Sequence, residues 1–340
     1  TALDTFIFLG GTLTGNIDGG AGTADVIRGD ALANAWVITG ANAGTLLTAM
    51  PTGSFTNVEN LVGGSSTDSF TFNASGSLAG SIDGGLGSDT ITGRSASTNA
   101  FVVTGANAGT FALITSGFIG IENLVGGTLA DTCTLTGGTL TGTVDGLGGT
   151  DTLTGDNVAN TWVINTANGG TATGTGGFSN IENLVGNANT DSFSLTSGGT
   201  LGGSVNGAGG TDTLTGDNVA NTWTISAANG GSVTGITGGF TNIENLTGGT
   251  NTDAFTLTTG TLSGTIDGAA GSDTLTGANV VNTWTITSAN AGTLTGIGVF
   301  SNIENLVGGT LADTFTFSNA TTLGGTINGG AGGVNYINLA

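Results

Sequence analysis

The chain has no histidine, no lysine, one cysteine, one proline and one methionine in 340 residues. Without histidine and with a single cysteine, the usual zinc and copper ligand sets cannot be assembled. A Ser-His-Asp triad or a Cys-His pair is equally out of reach. The lone Cys133 makes no intrachain disulfide. Only Arg28 and Arg94 are basic, against 23 acidic residues and a net charge of −21, which excludes a nucleic-acid backbone as partner. No apolar run approaches the ~18 residues that a membrane-spanning helix needs. With 68 glycines, long helices are disfavoured. Charge is one-sided yet sparse: charged residues are 7% of the chain and apolar ones 37%, so it is no solvated polyelectrolyte. The chain opens at Thr1 without Met or an apolar leader, as expected of a processed chain or a fragment.

What is present is repetition. TDTLTGDNVANTW occurs at 150–162 and again at 211–223, and GGTLADT at 126–132 and 308–314. The five glutamates, Glu59, Glu122, Glu182, Glu244 and Glu304, are spaced 63, 60, 62 and 60 residues apart, each within an (I/V)-E-N-L segment. Trp36, Phe101, Trp162, Trp223 and Trp284 keep the same step. The unit is therefore ~61 residues, with repeats at 4–67, 68–130, 131–190, 191–252 and 253–312 and a partial one at 313–340.

A finer period of 19 to 24 residues runs through Asp4, Asp25, Gly44, Asp68, Asp89, Gly109, Asp131, Asp151, Gly170, Asp191, Asp212, Gly231, Asp253, Asp273, Gly292, Asp313 and Asn335. Each is followed by a short alternating stretch, usually T-x-T. Its central residues are Phe6, Ile27, Leu46, Phe70, Ile91, Phe111, Cys133, Leu153, Ala172, Phe193, Leu214, Val233, Phe255, Leu275, Leu294, Phe315 and Ile337, all apolar or sulfur-bearing. Alternation of this kind is the period of a strand, one side chain inward and its neighbours outward. Gly- and Asn-rich breaks such as IDGG and NAGT supply turns. The expected fold is all-β: a parallel β-solenoid (β-helix) of about 17 coils of ~20 residues, three per repeat, forming a single solenoid over 1–340. Stacked at ~4.8 Å, such coils make a rod roughly 80 Å long. Aromatic ladders are expected from the Trp36, Phe55 and Phe6 series as core, with a carbohydrate-stacking platform as the alternative.

GGLGSDTIT at 84–92 fits the G-G-x-G-x-D-x-U-x nonapeptide of calcium-binding RTX β-rolls, with GLGGTDTLT at 146–154 and GAAGSDTLT at 268–276 as looser forms. Taken whole, the unit resembles the RTX-like, β-strand-repeat arrays of large secreted bacterial surface proteins and adhesins. The resemblance covers essentially the entire chain. It implies a β-solenoid, export from a Gram-negative-type cell, and a structural or adhesive role at the cell surface. RTX rolls carry nonapeptides in tandem, whereas here one appears in every third coil, so the complete calcium cage of that family is not carried over.

All 23 carboxylates fall on repeat phases. Asp4, Asp68, Asp131, Asp191, Asp253 and Asp313 precede one strand, and Asp25, Asp89, Asp151, Asp212 and Asp273 the next. Asp18, Asp83, Asp145 and Asp267 lie in the IDG turn, where Asn206 and Asn328 are neutral variants. Asp30, Asp156 and Asp217 follow a glycine. One role is acceptance of backbone N–H groups in their own turns, since amide and carboxylate oxygens do this equally well. On that role, replacing Asp151 and Asp212 by Asn is expected to be almost neutral. The other role is Ca²⁺ binding. Carboxylates starting adjacent coils, such as Asp131/Asp151 and Asp253/Asp273, lie about 5 Å apart and repel, and a hard divalent cation relieves this. The candidate calcium ligands are Asp25, Asp68, Asp83, Asp89, Asp131, Asp145, Asp151, Asp191, Asp212, Asp253, Asp267 and Asp273.

No enzyme is expected, because every acid has several equivalents. The unique residues Arg28, Arg94, Met50, Pro51, Cys133 and Tyr336 draw no acid–base pair. In 11 of 17 coils both outward neighbours are Thr or Ser, as at Thr152/Thr154 and Thr293/Thr295. Such rows resemble those of ice-binding solenoids, although Thr favours exposed strand positions anyway. The first expectation is an extracellular structural protein, a fibre, surface layer or adhesin stalk; a calcium-dependent adhesin or glycan-binding module, or an ice-binding protein, is the alternative. The partners expected are copies of itself or further repeats of the same chain, and a cell-surface or glycan contact. Ala2-Leu3-Asp4 and Tyr336-Ile337-Asn338 leave both ends without caps, so head-to-tail continuation is expected.

Overall fold

The computed structural model describes residues 3–318 and 320–339; Thr1 and Ala2, part of the opening segment discussed above, lie outside them. Among the described residues there are 38 strands and no helix. They group into two compact units, residues 1–156 with 171–181, and residues 157–170 with 182–340. The division runs through the third repeat and coincides with no linker.

In the second unit the chain passes back and forth between two sheets. One sheet stacks Ser192–Leu195, Thr213–Thr215, Asn245–Thr247 and Leu262–Asp267 in parallel. The other stacks Asn183–Asn187, Val205–Ala208 and Ile236–Thr241 in parallel. The register pairs inward residues with one another, Phe193 with Leu214 and Phe255 with Leu275, as a solenoid requires. The Asp phases thus behave as read from the sequence: each opens a strand that stacks on an equivalent one.

The Gly phases differ. Gly231 and Val233 lie in Gly230–Val233, the middle strand of an antiparallel meander between Thr222–Ala227 and Ile236–Thr241. The equivalent segments at Gly44, Gly109 and Gly292 do the same. They are therefore returns within one pass, not coils of their own, and parallel pairing does not run throughout. The cause lies in the connections. Ala227 and Gly230 face each other across two residues, with Asn229 at φ 50°, and Val233 faces Ile236 across two more, with Gly235 at φ 90°. Two-residue loops with a left-handed residue turn a strand back beside itself, whereas a parallel crossover needs a longer path. Gly231 lets the strands close: a Cβ there would overlap the carbonyl oxygen of Thr224. Gly231→Val is expected to cost about 2–3 kcal/mol as overpacking, read as a lowered denaturant midpoint; an unchanged midpoint would contradict this close approach.

Each full repeat makes five passes between the sheets, two and a half turns. Because five is odd, successive repeats begin on opposite sheets. The meander of repeat 191–252 continues in parallel to Ala254–Leu257, whereas the next, Thr283–Ser288 to Ile297–Ser301, pairs with Leu262–Asp267 in the other sheet. The first unit alternates likewise: the meander ending at Phe55–Thr56 and the one ending at Ile114–Ile119 belong to opposite sheets. Repeat 191–252 adds four strands to the sheet holding its meander and three to the other. Alternation cancels that excess, about one strand spacing of 4.8 Å, at the next repeat. An even number of passes would let it accumulate.

Of the 17 inward residues, all are buried except Phe6, which is half-buried, and Ile337, which is 58% exposed. Both lie in the outermost described coils. Trp36, Trp162, Trp223 and Trp284 are fully buried. They do not form a Trp-on-Trp ladder, because the same phase falls on opposite sheets in successive repeats. Trp223 instead stacks on Phe255 (5.5 Å, 14°) and meets Phe240 edge-on (6.2 Å, 67°). Trp36 and Trp284 repeat this with Phe70 and Phe55, and with Phe315 and Phe300. The three aromatic series thus converge in one cluster around each of Trp36, Trp223 and Trp284, whereas Phe101 lies beside Cys133 and stacks on Phe111.

Candidate functional site

The start of an Asp-phase strand is held by a side-chain oxygen of a neighbouring coil, a carboxylate at most of them and the Asn335 amide at Asp313. In the second unit the Asn221 N–H and Nδ2 both donate to Asp253 Oδ1 (2.7 and 2.9 Å). The Asp253 N–H donates to Asp273 Oδ1 (2.7 Å), and the Asp273 N–H to Glu304 Oε2 (2.8 Å). Glu304 Oε1 accepts Asn290 Nδ2 (2.7 Å). Asn160, Asp191, Asp212 and Glu244 form the same column, with Asn229 on Glu244 Oε1. In the first unit it recurs through Asn34, Asp68, Asp89 and Glu122, and its upper part through Asn99, Asp131 and Asp151. Asp25 joins the Asp4 N–H to Glu59. These aspartates, Asp4 excepted, are buried.

The Oδ1 partners are backbone N–H groups of neighbouring coils, 20 to 34 residues away, while Asp68, Asp131, Asp253 and Asp313 also accept, through Oδ2, the N–H four residues back in their own turn. Capping of the own turn holds for the IDG phase as well. Asp18, Asp83, Asp145 and Asp267 accept the N–H two residues on, and Asn206 and Asn328 do the same with an amide oxygen. Asn57, Asn180 and Asn302 reach Asp18, Asp145 and Asp267 from a neighbouring coil (2.7–2.8 Å). Asn57 and the Gly20 N–H hold the Asp18 carboxyl below its ordinary value.

The expected pairs Asp131/Asp151 and Asp253/Asp273 are brought together on adjacent strands. Their carboxylates do not meet head-on, because in each pair the second residue's Oδ1 is turned to the first residue's N–H. Asp83, Asp145 and Asp267 lie in the strands Ile82–Gly85, Thr143–Leu147 and Leu262–Asp267, and the charges of Asp83 and Asp267 are felt at Asp89 and Asp273. Among the described residues no three acidic or sulfur groups gather as a metal-binding set.

The two column phases differ. Asp68, Asp253 and Asp313 use Oδ2 as well, accepting the N–H of Gly64, Gly249 and Gly309 (2.6, 2.7 and 2.9 Å). Asp25, Asp89, Asp212 and Asp273 have a buried Oδ2 with no hydrogen-bond partner, and so does Asp191, which departs from its phase in this. Burial pushes Asp89, Asp212 and Asp273 up to about 6; the N–H from the preceding aspartate opposes this, and the neighbouring carboxylates reinforce it. Asp191 is raised by burial against the bonds from Asn160.

Of the unique residues, Cys133 fills the inward position and burial pushes its thiol up to about 12. Arg94 Nη2 donates to the carbonyl of Gly76 (2.7 Å). Asp156 and Asp217, at the same phase, instead accept the N–H of Gly137 and Gly198. The four tryptophans, being buried, offer no platform for stacking a sugar. Sequence reasoning missed two sets of asparagines: Asn34, Asn99, Asn160, Asn221 and Asn282 at the head of each column, and Asn42, Asn107, Asn168, Asn229 and Asn290 on the glutamates. Their signal was available, since one set stands two residues before the Trp-phase aromatic and the other 14 to 17 residues before the glutamate. No protein-family model matches the chain, and no curated protein matches it.

Proposed function

We propose that this is an extracellular structural protein, a β-solenoid that builds a fibre, surface layer or adhesin stalk. The observation that supports this best is the column. Its carboxylates are used to join coil to coil, and each has equivalents in other repeats, so no constellation stands apart as a reaction centre. Parallel backbone ladders, buried aromatics and charge-assisted bonds supply stiffness along the stacking direction. Continuation of the stack comes from further repeats of the same chain or from copies of it. A surface charge of one sign keeps neighbouring stacks apart while leaving axial contacts free. Negative-stain images of native material are expected to show fibres or long rods; globules would overturn the reading. Sedimentation then separates the two modes of continuation: a concentration-dependent increase in size indicates copies, and a fixed size further repeats.

A further inference from the structure

We propose that the repeat 253–312 carries a groove for a neutral sugar, a hexose unit of an oligosaccharide, opened by Ala278 at a phase where other repeats place a side chain that closes it. The inference goes beyond the structural role and does not rest on it.

Asp156 Oδ1 accepts the N–H of Gly137 (2.9 Å), and Asp217 Oδ2 accepts that of Gly198 (2.6 Å). Arg94 reaches the corresponding connection of its own repeat through the carbonyl of Gly76. Each of these side chains ties two neighbouring connections together. The groove beside Asp217, lined by Leu195, Val219 and Gly235, holds about 110 Å³. Its counterpart in the next repeat, lined by Leu257, Val280 and Gly296, holds about 770 Å³. Two sequence differences account for the opening. Ala278 has no group to send across, and four residues separate Leu257 from Leu262 where five separate Leu195 from Leu201. The facing turn also stands further off: a Cβ at Gly235 would lie 2.6 Å from Leu195, whereas one at Gly296 would lie 3.5 Å from Leu257. The short connection recurs at Phe8–Leu13 and Leu135–Leu140, but there Asp30 and Asp156 occupy the phase. Only at 253–312 does it meet an uncharged side chain.

The lining sets the chemistry of the ligand. No ionisable side chain borders the groove, in a chain of net charge −21. An anion is repelled by the chain and finds no cation, and a metal ion finds no carboxylate. Leu257, Ala278 and the exposed Val280 supply apolar surface. Thr256, Thr261 and Thr276 add hydroxyls that have no hydrogen-bond partner among the described residues. Thr295 Oγ1 accepts the Thr283 N–H (2.9 Å), which leaves its own proton to donate. The Thr259 N–H, counterpart of the Gly137 and Gly198 N–H groups, has no acceptor among the described residues. Apolar surface beside several hydroxyls and a free N–H matches a sugar ring, whose C–H faces are apolar and whose hydroxyls both donate and accept. With the tryptophans buried, no indole stacks on the ring, so Kd is expected on the order of 1 mM.

The test is a methyl NMR titration of the full chain with three neutral trisaccharides, maltotriose, cellotriose and the β-1,4-linked N-acetylglucosamine trimer, each up to roughly 10 mM, with trigalacturonate as the charged comparator. At least one neutral trisaccharide is expected to shift the Leu257 and Val280 methyls while leaving those of Leu195 and Val219, the same positions in the closed groove, in place. Ala278→Asp installs the carboxylate that Asp156 and Asp217 supply, and should abolish the shifts; Ala278→Gly leaves the groove open and should retain them. No response to any neutral trisaccharide, a response to trigalacturonate alone, equal shifts in both grooves, or shifts that survive Ala278→Asp would overturn the proposal. Should Ala278→Asp fail to fold, the comparison of the two grooves in the wild type decides. Binding is read on the methyls and assembly by imaging, so failure of one reading is distinguishable from failure of the other.

Discussion

Truncating Trp223 to alanine is expected to lower stability by about 3–5 kcal/mol, the range for a large aromatic removed from a close-packed core. The indole is fully buried, stacked on Phe255 of the next repeat and edge-on to Phe240 at the end of its own meander. Its removal leaves a void at the point where a meander strand, its return and a neighbouring coil meet, and none of the three can move in without breaking ladder bonds. Trp223→Phe should cost much less. Phe101 occupies this phase in another repeat and stacks on Phe111 at 4.3 Å, and the Trp223 Nε1 has no hydrogen-bond partner to lose. Denaturant unfolding of both variants checks the pair. An alanine variant within 1 kcal/mol of wild type would mean that the three series are not one cluster.

The repeat, the inward residues and the pairing of Asp-phase strands were legible because each is a matter of local period. Phe193, Leu214, Phe255 and Leu275 recur at the right spacing, and alternation alone places them inside. The meanders were not legible from the same period. Gly231 stands about 20 residues after Asp212 and is followed by S-V-T, so by spacing it resembles another coil. What separates them is turn length: two residues at Ala228–Asn229 fold the strand back, and longer connections carry the chain to the opposite sheet. From that miscount follows the aromatic error. Trp36 and Phe101 share a phase in sequence but lie in opposite sheets, so a ladder between them cannot form.

The carboxylates show the same division between what spacing reveals and what it hides. Their strict phase marked them as a set, and the adjacency of Asp253 and Asp273 followed from it. Direction was hidden. A repeat of acids reads as mutual repulsion when side chains are imagined facing one another. In the fold each side chain instead points along the stacking direction at a backbone N–H, so the dipole of the neighbouring coil stabilises it. The opposite needs of Asp253 and Asp273 were invisible for the same reason, since both are followed by near-identical alternating segments.

Those needs make the last expectation a sharp one: Asp253→Asn should be strongly destabilising at neutral pH. Asp253 Oδ1 accepts two N–H groups of Asn221, and Oδ2 accepts the N–H of Gly249 at 2.7 Å. An asparagine has one acceptor oxygen for these three donors. Whichever way its amide is turned, an NH₂ group faces an N–H inside a site that is fully buried. Losing a charge-assisted bond costs about 1.5–3 kcal/mol, and stranding the donor adds about 1–3 kcal/mol more, so a loss of roughly 3–5 kcal/mol is expected. The exchange-protected amide of Gly249, or of Asn221 if the amide turns the other way, should open first in hydrogen exchange. Asp273→Asn, one coil on and differing only in where its Oδ2 points, should carry no such penalty. Equal costs for the two substitutions would show that the phases are chemically alike and that the column acts by charge alone.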